Sequence, residues 1–411
     1  MAKRGKKSLS QRAVSIATPG VPGPLRSILT SRIGAPLTVL VGIALATAGV
    51  VKLDWSGGWP RLAVDRQRVG EIRQKVEAAR GDATPLPAEP AAIPATPVSQ
   101  NAGPGDTVRV ASFNIQVLGT SKAGKPHVMS VLADVIRRFD VVAIQELRTT
   151  DMAVMDSLLQ QVNQGGAKYQ YVAGPRLGRT VSKEQYVFVF NPDRVELLPN
   201  TALTLEDPQD LLHREPLIAH FRARTSGPSQ PFTFILVNVH TDPDETGTEL
   251  DALAEAFLAV QQNPWQEDDV ILLGDLNVDY RKLGKLGTLP DISYTVQGQA
   301  TNTRGDASYD NIVFNRVATQ EFTGTAGVID LQNAYGLTTD QALEVSDHLP
   351  VWAEFRMFES GSADFVAGRP SPPLTDRLSP PVPPGNAPPI QPPADNTRRT
   401  GLRGLFDRTT R

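Results

Sequence analysis

Hydrophobic and polar positions divide this chain into three unlike stretches. Between residues 106 and 358, short apolar runs alternate with segments of helical periodicity. The runs at 108–115, 140–147, 186–192, 232–240, 269–277, 309–314 and 349–355 are near-continuous in Val, Ile, Leu and Phe. Such runs suit strands buried on both faces. Apolar residues recur every three or four positions over 128–138, 151–164 and 248–262, which predicts helices there. Strands interleaved with helices predict a layered α/β domain with helices outside two sheets.

The pattern changes upstream. Residues 33–51 form a charge-free apolar run of 19 residues, about the length that crosses a bilayer core as a helix. Residues 1–32 carry Lys3, Arg4, Lys6, Lys7, Arg12, Arg26 and Arg32 and no acid, which predicts the N-terminus inside and the rest outside. The expected organisation is a basic segment (1–32), a transmembrane anchor (33–53), a stalk helix over 61–80 with a Pro/Ala-rich linker within 54–105, a catalytic domain (106–358) and a Pro-rich, disordered tail (359–411). A cleaved signal peptide is the alternative for the apolar run, with a secreted product. The anchored form would be single-pass, with its catalytic domain periplasmic or extracellular.

Composition narrows the chemistry. The 411 residues include no cysteine, so disulfides, thiolate metal sites and cysteine nucleophiles are excluded. A formal net charge of −3 gives no global attraction to nucleic acid, so such binding must rest on local sites. The local pattern is informative, because polar residues fall at strand ends. Asn114, Glu146, His240 (with Asp242 two residues on), Asp275 with Asn277, Asp310, and Asp347 with His348 each adjoin a strand candidate. Singly, an Asp or Asn after a strand is more often a turn former or a helix cap. Together, two of the five histidines and this many acids along one sheet edge suit a site that gathers a cation. Carboxylate and amide oxygens without thiolates favour Mg²⁺, Mn²⁺ or Ca²⁺. Two His–carboxylate pairs beside a metal could activate water, stabilise a pentacoordinate phosphate and help its leaving oxygen depart.

The segments SFNIQVLG, VVAIQELR, VNVHTDPD, LLGDLNVD, SYDNIVF and VSDHLPV together resemble the endonuclease/exonuclease/phosphatase superfamily over residues 107–356. GPRLGRTVSKEQYVFVFNPDRVELL, HREP and LQNAYGLTTDQALEVSDHLPV resemble pancreatic deoxyribonuclease within it. The resemblance implies a four-layer sandwich, with two mostly antiparallel sheets face to face and helices outside. It implies His240 and His348 as catalytic histidines, oriented by Glu184 and Asp310. It further implies Glu146 as the principal metal ligand, with Asn114, Asp275 and Asp347 completing the metal and phosphate site and Asn277 donating to phosphate. Arg148, Arg179 and Arg214 match DNA-contacting positions, with surface ion pairs as the plain alternative for them. Ser182 stands where the relative has a groove-packing tyrosine, and Asn311 where it has an arginine. The expected activity is metal-dependent DNA hydrolysis of little sequence specificity. Phospholipid or inositol-phosphate hydrolysis on the same scaffold is the alternative, and a pure binding module a third. His127, His213 and His220 are not among the implied site residues and are expected as surface or packed residues.

Overall fold

The computed structural model describes residues 51–54, 59–64, 70–71, 107–180, 182–226 and 229–360. Among these residues, two mixed sheets lie face to face. In the first, the order is β14 (Phe322–Val328), β15 (Val351–Arg356), β3 (Thr107–Leu118), β4 (Val141–Leu147), β6 (Gln185–Phe190) and β5 (Gln170–Ala173). In the second it is β1 (Val51–Asp54), β2 (Arg61–Val64), β8 (Leu203–Leu205), β9 (Leu217–Ala223), β10 (Thr233–His240), β11 (Val270–Asp275), β13 (Asp310–Asn315) and β12 (Ile292–Tyr294), with β7 (Val195–Leu197) also on β9. A parallel pair lies near the centre of each sheet, β3 with β4 and β10 with β11, flanked by antiparallel neighbours, and β2 with β8 is a further parallel pair in the second.

Three apolar cores separate the layers. The middle one joins inner faces of both sheets, with Phe188 of β6 edge-on to Phe221 of β9 and Phe314 of β13 against Phe355 of β15. On one outer side, α2 (Pro126–Ile136) and α3 (Ala153–Val162) cover the first sheet with Met129, Leu132, Met155 and Leu158. On the other, α4 (Thr246–Gln261) covers the second with Leu250, Leu253, Phe257 and Val260. The expected four-layer sandwich is therefore present, and the three expected helices fall within a few residues of their sequence positions. Shorter helices complete the set: α1 (Thr120–Ala123), α5 (Gly284–Gly287), α6 (Leu331–Tyr335) and α7 (Thr339–Val345).

The N-terminal expectation changes. Residues 61–64, expected to begin a stalk helix, form β2, which runs antiparallel to β1 and parallel to β8. Leu62 is fully buried among Leu203, Leu205 and Leu212, and an open sheet edge offers backbone partners that an isolated helix could not match. The second sheet thus reaches outside the 106–358 boundary. No helix among the described residues is long and apolar enough to cross a membrane. Residues 33–50 of the expected anchor lie outside the described residues, as do residues 1–32, most of the linker and residues 361–411, while 51–53 belong to β1.

Candidate active site

The C-terminal ends of the two central parallel pairs place the site. β3 delivers Asn114, and β4 delivers Glu146 beside it. β10 and β11 end in register at His240 and Asp275, with Asp310 opposite Asp275 at the start of β13. The ladders slip where the polar residues stand, between Asn114 and Leu118 in the parallel β3–β4 pair and between Ile144 and Leu147 in the antiparallel β4–β6 pair. Val117 (φ 50°) and Glu146 (φ 66°) take left-handed backbone there, as Asn277 (φ 51°) does after β11. Such conformations are costly for residues with a Cβ and persist where packing imposes them, often at functional sites. They turn the Glu146 carboxylate back so that Oε2 accepts the Val117 N–H at 2.8 Å. Gly274, next to Asp275, has φ 155°, and a Cβ there would lie 1.9 Å from the Val239 carbonyl oxygen. Only glycine lets β10 and β11 approach closely enough to set His240 beside Asp275.

Two acid-tethered imidazoles face one another across Asp275. His240 Nδ1 lies 2.8 Å from Glu184 Oε1, and His348 Nδ1 lies 2.9 Å from Asp310 Oδ2. Their Nε2 atoms approach the same oxygen, Asp275 Oδ2, at 3.5 and 3.4 Å. Asn114 Nδ2 donates to that oxygen at 3.0 Å and lies 3.4 Å from Glu146 Oε1. Thr301 donates to Asp310 at 2.8 Å, and Tyr186 takes the His240 N–H at 2.9 Å.

These contacts set the charges. Burial opposes a proton on His348, but Asp310 and then Asp275 outweigh it and raise its pKa to about 10. His240 is raised in the same way, with burial opposed by Glu184 and Asp275. Burial alone would raise Glu184, yet His240, Arg214 and Arg148 hold it below the usual carboxylate range. Asp275 is likewise kept ionised against burial by the two imidazoles and Asn114. Asp310, equally buried and repelled by Asp275, is raised.

The oxygen donors fit a hard cation. Asn114 Oδ1 and Asp347 Oδ1 are buried without a hydrogen-bond partner, and Glu146 is fixed within reach of Asn114. Buried unpaired oxygens are costly unless a ligand takes them up. Asn114, Glu146, Asp275 and Asp347 would hold a divalent ion. A second grouping, of Glu146, Glu184 and His240, is tied up by the arginines and by the His240–Glu184 bond.

The remaining sequence candidates are distributed unevenly. Asn277 donates one amide N–H to the Thr241 carbonyl at 2.8 Å, while its backbone N–H donates to Asp275. Arg214 is buried rather than surface-facing; its Nε is 3.4 Å from Glu184 and its Nη1 donates to the His240 carbonyl. It braces the His240 pair, because a buried guanidinium finds its counter-charge indoors. Arg148 bridges Glu146 and Glu184 at 3.2 and 3.7 Å and donates to Ser182, the residue in place of the expected tyrosine. Arg179 stands on the rim, paired with Asp210 and Glu245. Asp242 faces His213 at 3.5 Å instead of entering the site. Asn311 ties the Thr295–Val296 backbone with both ends of its amide. His127 and His220 pair with Glu344 and Glu267, away from the motifs.

Sequence reasoning passed over Gln116 and Ser346. Gln116 donates to Asp347 Oδ2 at 2.9 Å, and its place two residues after Asn114 in one strand was the available signal. The Ser346 hydroxyl donates to the Asn114 carbonyl and accepts from the Gln116 and His348 N–H groups, stitching β3 to the loop before β15.

Imidazoles held by buried acids at the edge of a four-layer sandwich, beside oxygens that suit a hard cation, define a hydrolase of phosphoric ester bonds. Residues 111–385 match the Endonuclease/Exonuclease/phosphatase family, and the chain belongs to that family. It is similar to Deoxyribonuclease-1-like 1 of Sus scrofa, 34% identical over 266 residues, covering 62% of this chain and 82% of the relative. The human Deoxyribonuclease-1-like 1 is 32% identical over 267 residues, covering 62% and 86%. Deoxyribonuclease-1 of Bos taurus is 31% identical over 264 residues, covering 60% and 92%.

Proposed function

We propose that this chain is a divalent-metal-dependent endonuclease that hydrolyses DNA with little sequence specificity. The observation that carries the reading is the convergence of two acid-tethered imidazoles on Asp275, next to the unpartnered oxygens of Asn114 and Asp347. Relatives named deoxyribonucleases support DNA as the substrate. A phosphodiester entering between His240 and His348 would meet the Nε2 atoms of both rings beside Asp275. Glu184 and Asp310 hold each ring by Nδ1, so Nε2 is the atom that exchanges a proton with substrate. The strongly basic His348 suits donation to a leaving or non-bridging oxygen, and His240 would be the ring that accepts a proton from water. When bound, a divalent ion would supply positive charge to the developing phosphorane and draw the field of Asp275 away from both rings. Arg148 and Arg179 on the rim offer fork-shaped donors to phosphate rather than base-edge chemistry, which accords with low sequence specificity.

We also propose that the apolar segment ending at residue 50 tethers the domain outside a membrane. β1, starting at Val51, would then hold the sandwich close against that surface. Protease accessibility of the domain on intact cells tests this placement.

The purified protein should nick supercoiled plasmid with Mg²⁺ or Mn²⁺ and lose that activity in EDTA. Sphingomyelin, an inositol phosphate and bis-p-nitrophenyl phosphate run in parallel separate the substrate classes. Absence of nicking under every divalent ion, with turnover of the lipid or inositol substrate, would replace the DNA reading.

A further inference from the structure

β11 carries buried acid at both ends. Its C-terminal end is Asp275; just before its N-terminal end stands Asp269, which is 2% exposed. Glu321, before β14, is equally buried, and Glu359 follows β15. One carboxylate oxygen from each of Asp269, Glu321 and Glu359 lies within 4.8 Å of the others, and Glu267 and Asp268 form a second such group with Asp269. These acids come from both sheets. Glu359 is placed by its N–H to the Gln230 carbonyl and accepts the Thr233 N–H at 2.8 Å, at the seam where β10 of one sheet begins and β15 of the other has ended.

Part of this cluster is satisfied locally. Glu321 Oε1 accepts the Ser360 N–H, and Glu267 accepts the Asp269 N–H while facing His220. Asp269 Oδ1 and Glu321 Oε2 are buried without a hydrogen-bond partner, and Thr319 Oγ1, also buried, reaches only the Asp269 carboxyl. The Thr319 hydroxyl, on a residue 1% exposed, lies beside the Asp269 carboxyl. Burial, and then Glu321, Glu267 and Glu359, push Asp269 up to about 9, and burial, Glu321 and Glu267 push Glu359 up to about 7. An acid-rich oxygen cage with an inward hydroxyl is rich in hard ligands. Oxygens drawn from separate segments, without strict octahedral constraint, suit calcium better than magnesium.

We propose that Asp269, Thr319, Glu321 and Glu359 form a second divalent-cation site of calcium type, which pins the two sheets together at the pole opposite the histidines. The site stands apart from the nuclease reading and survives or fails independently of it.

The test uses the full-length protein stripped with EDTA, with Ca²⁺ alone as the titrant and thermal unfolding and calorimetry as readouts. Tb³⁺ luminescence excited through tryptophan adds a local probe, because Trp265 stacks near His220, which contacts Glu267. Saturable Ca²⁺ binding should raise Tm by several degrees, and Glu146→Gln, which alters the catalytic pole, should retain that rise. Glu321→Gln should weaken the binding at least tenfold, leave Mg²⁺-supported phosphodiester hydrolysis intact, and match or exceed the wild-type Tm in EDTA. Thr319→Val, a milder change, should lower Ca²⁺ affinity several-fold and serves if Glu321→Gln does not fold. Wild-type-like Ca²⁺ titration in both variants would overturn the site. So would a Tm rise that disappears in Glu146→Gln, or a wild-type protein stabilised by protons at this cluster but not by Ca²⁺.

Discussion

The two ends of β11 solve the same electrostatic problem in opposite ways. At the Asp275 end, buried carboxylates face cations of the protein itself: His240 and His348 against Asp275, and Arg148 and Arg214 against Glu184. At the Asp269 end, a strand's length away or roughly 20 Å, carboxylates face chiefly one another. The first arrangement keeps Glu184 and Asp275 ionised and makes both imidazoles more basic, ready to exchange protons with a substrate. The second holds protons on its acids until a cation from solution replaces them. Burial sets the cost in both places, and the identity of the compensating charge decides whether the site can do chemistry or only bind.

The largest expected effect comes from dismantling the catalytic end. His348→Ala should lower kcat for plasmid nicking by about 10²–10⁴-fold, the usual worth of a positioned acid–base group, with an unchanged circular-dichroism spectrum. A variant within a few-fold of wild type would end the claim that this imidazole moves a proton. Next is the backbone that sets the pair. Gly274→Ala forces a Cβ into the Val239 carbonyl and should destabilise the fold on the order of 3 kcal/mol or prevent it. Normal urea unfolding of that variant would show that β10 and β11 can separate without loss.

Removing one charge distinguishes the two ends more finely. Glu184→Gln leaves Arg214 buried beside a neutral amide and should cost about 3 kcal/mol, besides untethering His240. At the far end, Asp269→Asn should stabilise the EDTA-treated protein at high pH. Folding raises the Asp269 pKa from 3.8 to about 9, so the folded state holds that proton more tightly than the unfolded one. The resulting stability is present below about pH 4 and is lost as pH rises toward 9. Urea midpoints in EDTA should fall across this window in wild type and less so in Asp269→Asn; parallel slopes would remove Asp269 from the account. The smallest effect is expected at Arg179, whose rim ion pairs are worth under about 1 kcal/mol to folding. Arg179→Ala should chiefly reduce the salt dependence of DNA binding, by a slope of about 1 if it meets one phosphate.

How much of this could be read along the chain differs between the two ends. The proposed catalytic residues were legible because each closes or opens an apolar run, and a strand end projects its polar residue to a sheet edge wherever the sheets pack. The tethers Glu184 and Asp310 were legible only through the resemblance, since spacing does not say which acid meets which imidazole. The inward turn of Arg214 and the Asn277 amide bonded to Thr241 depend on neighbours distant in sequence, and no local pattern announces them. β1 and β2 escaped for a related reason. Leu62 and Val64 are spaced for a strand, but residues 61–80 as a whole read as a helix, and the open edge at β8 decided between them.

The sequence by itself determined the layered sandwich, the metal-favouring oxygen chemistry and the residues at the strand ends, because periodicity and residue type act over a few positions. Tertiary structure decided which charges became partners. It set His240 and His348 on one carboxylate oxygen, turned Arg214 inward, and collected Asp269, Thr319, Glu321 and Glu359 from separate segments of both sheets. The reason is physical. The energy of a buried charge depends on everything within a few ångströms of it, and only the packed sheets bring those groups together.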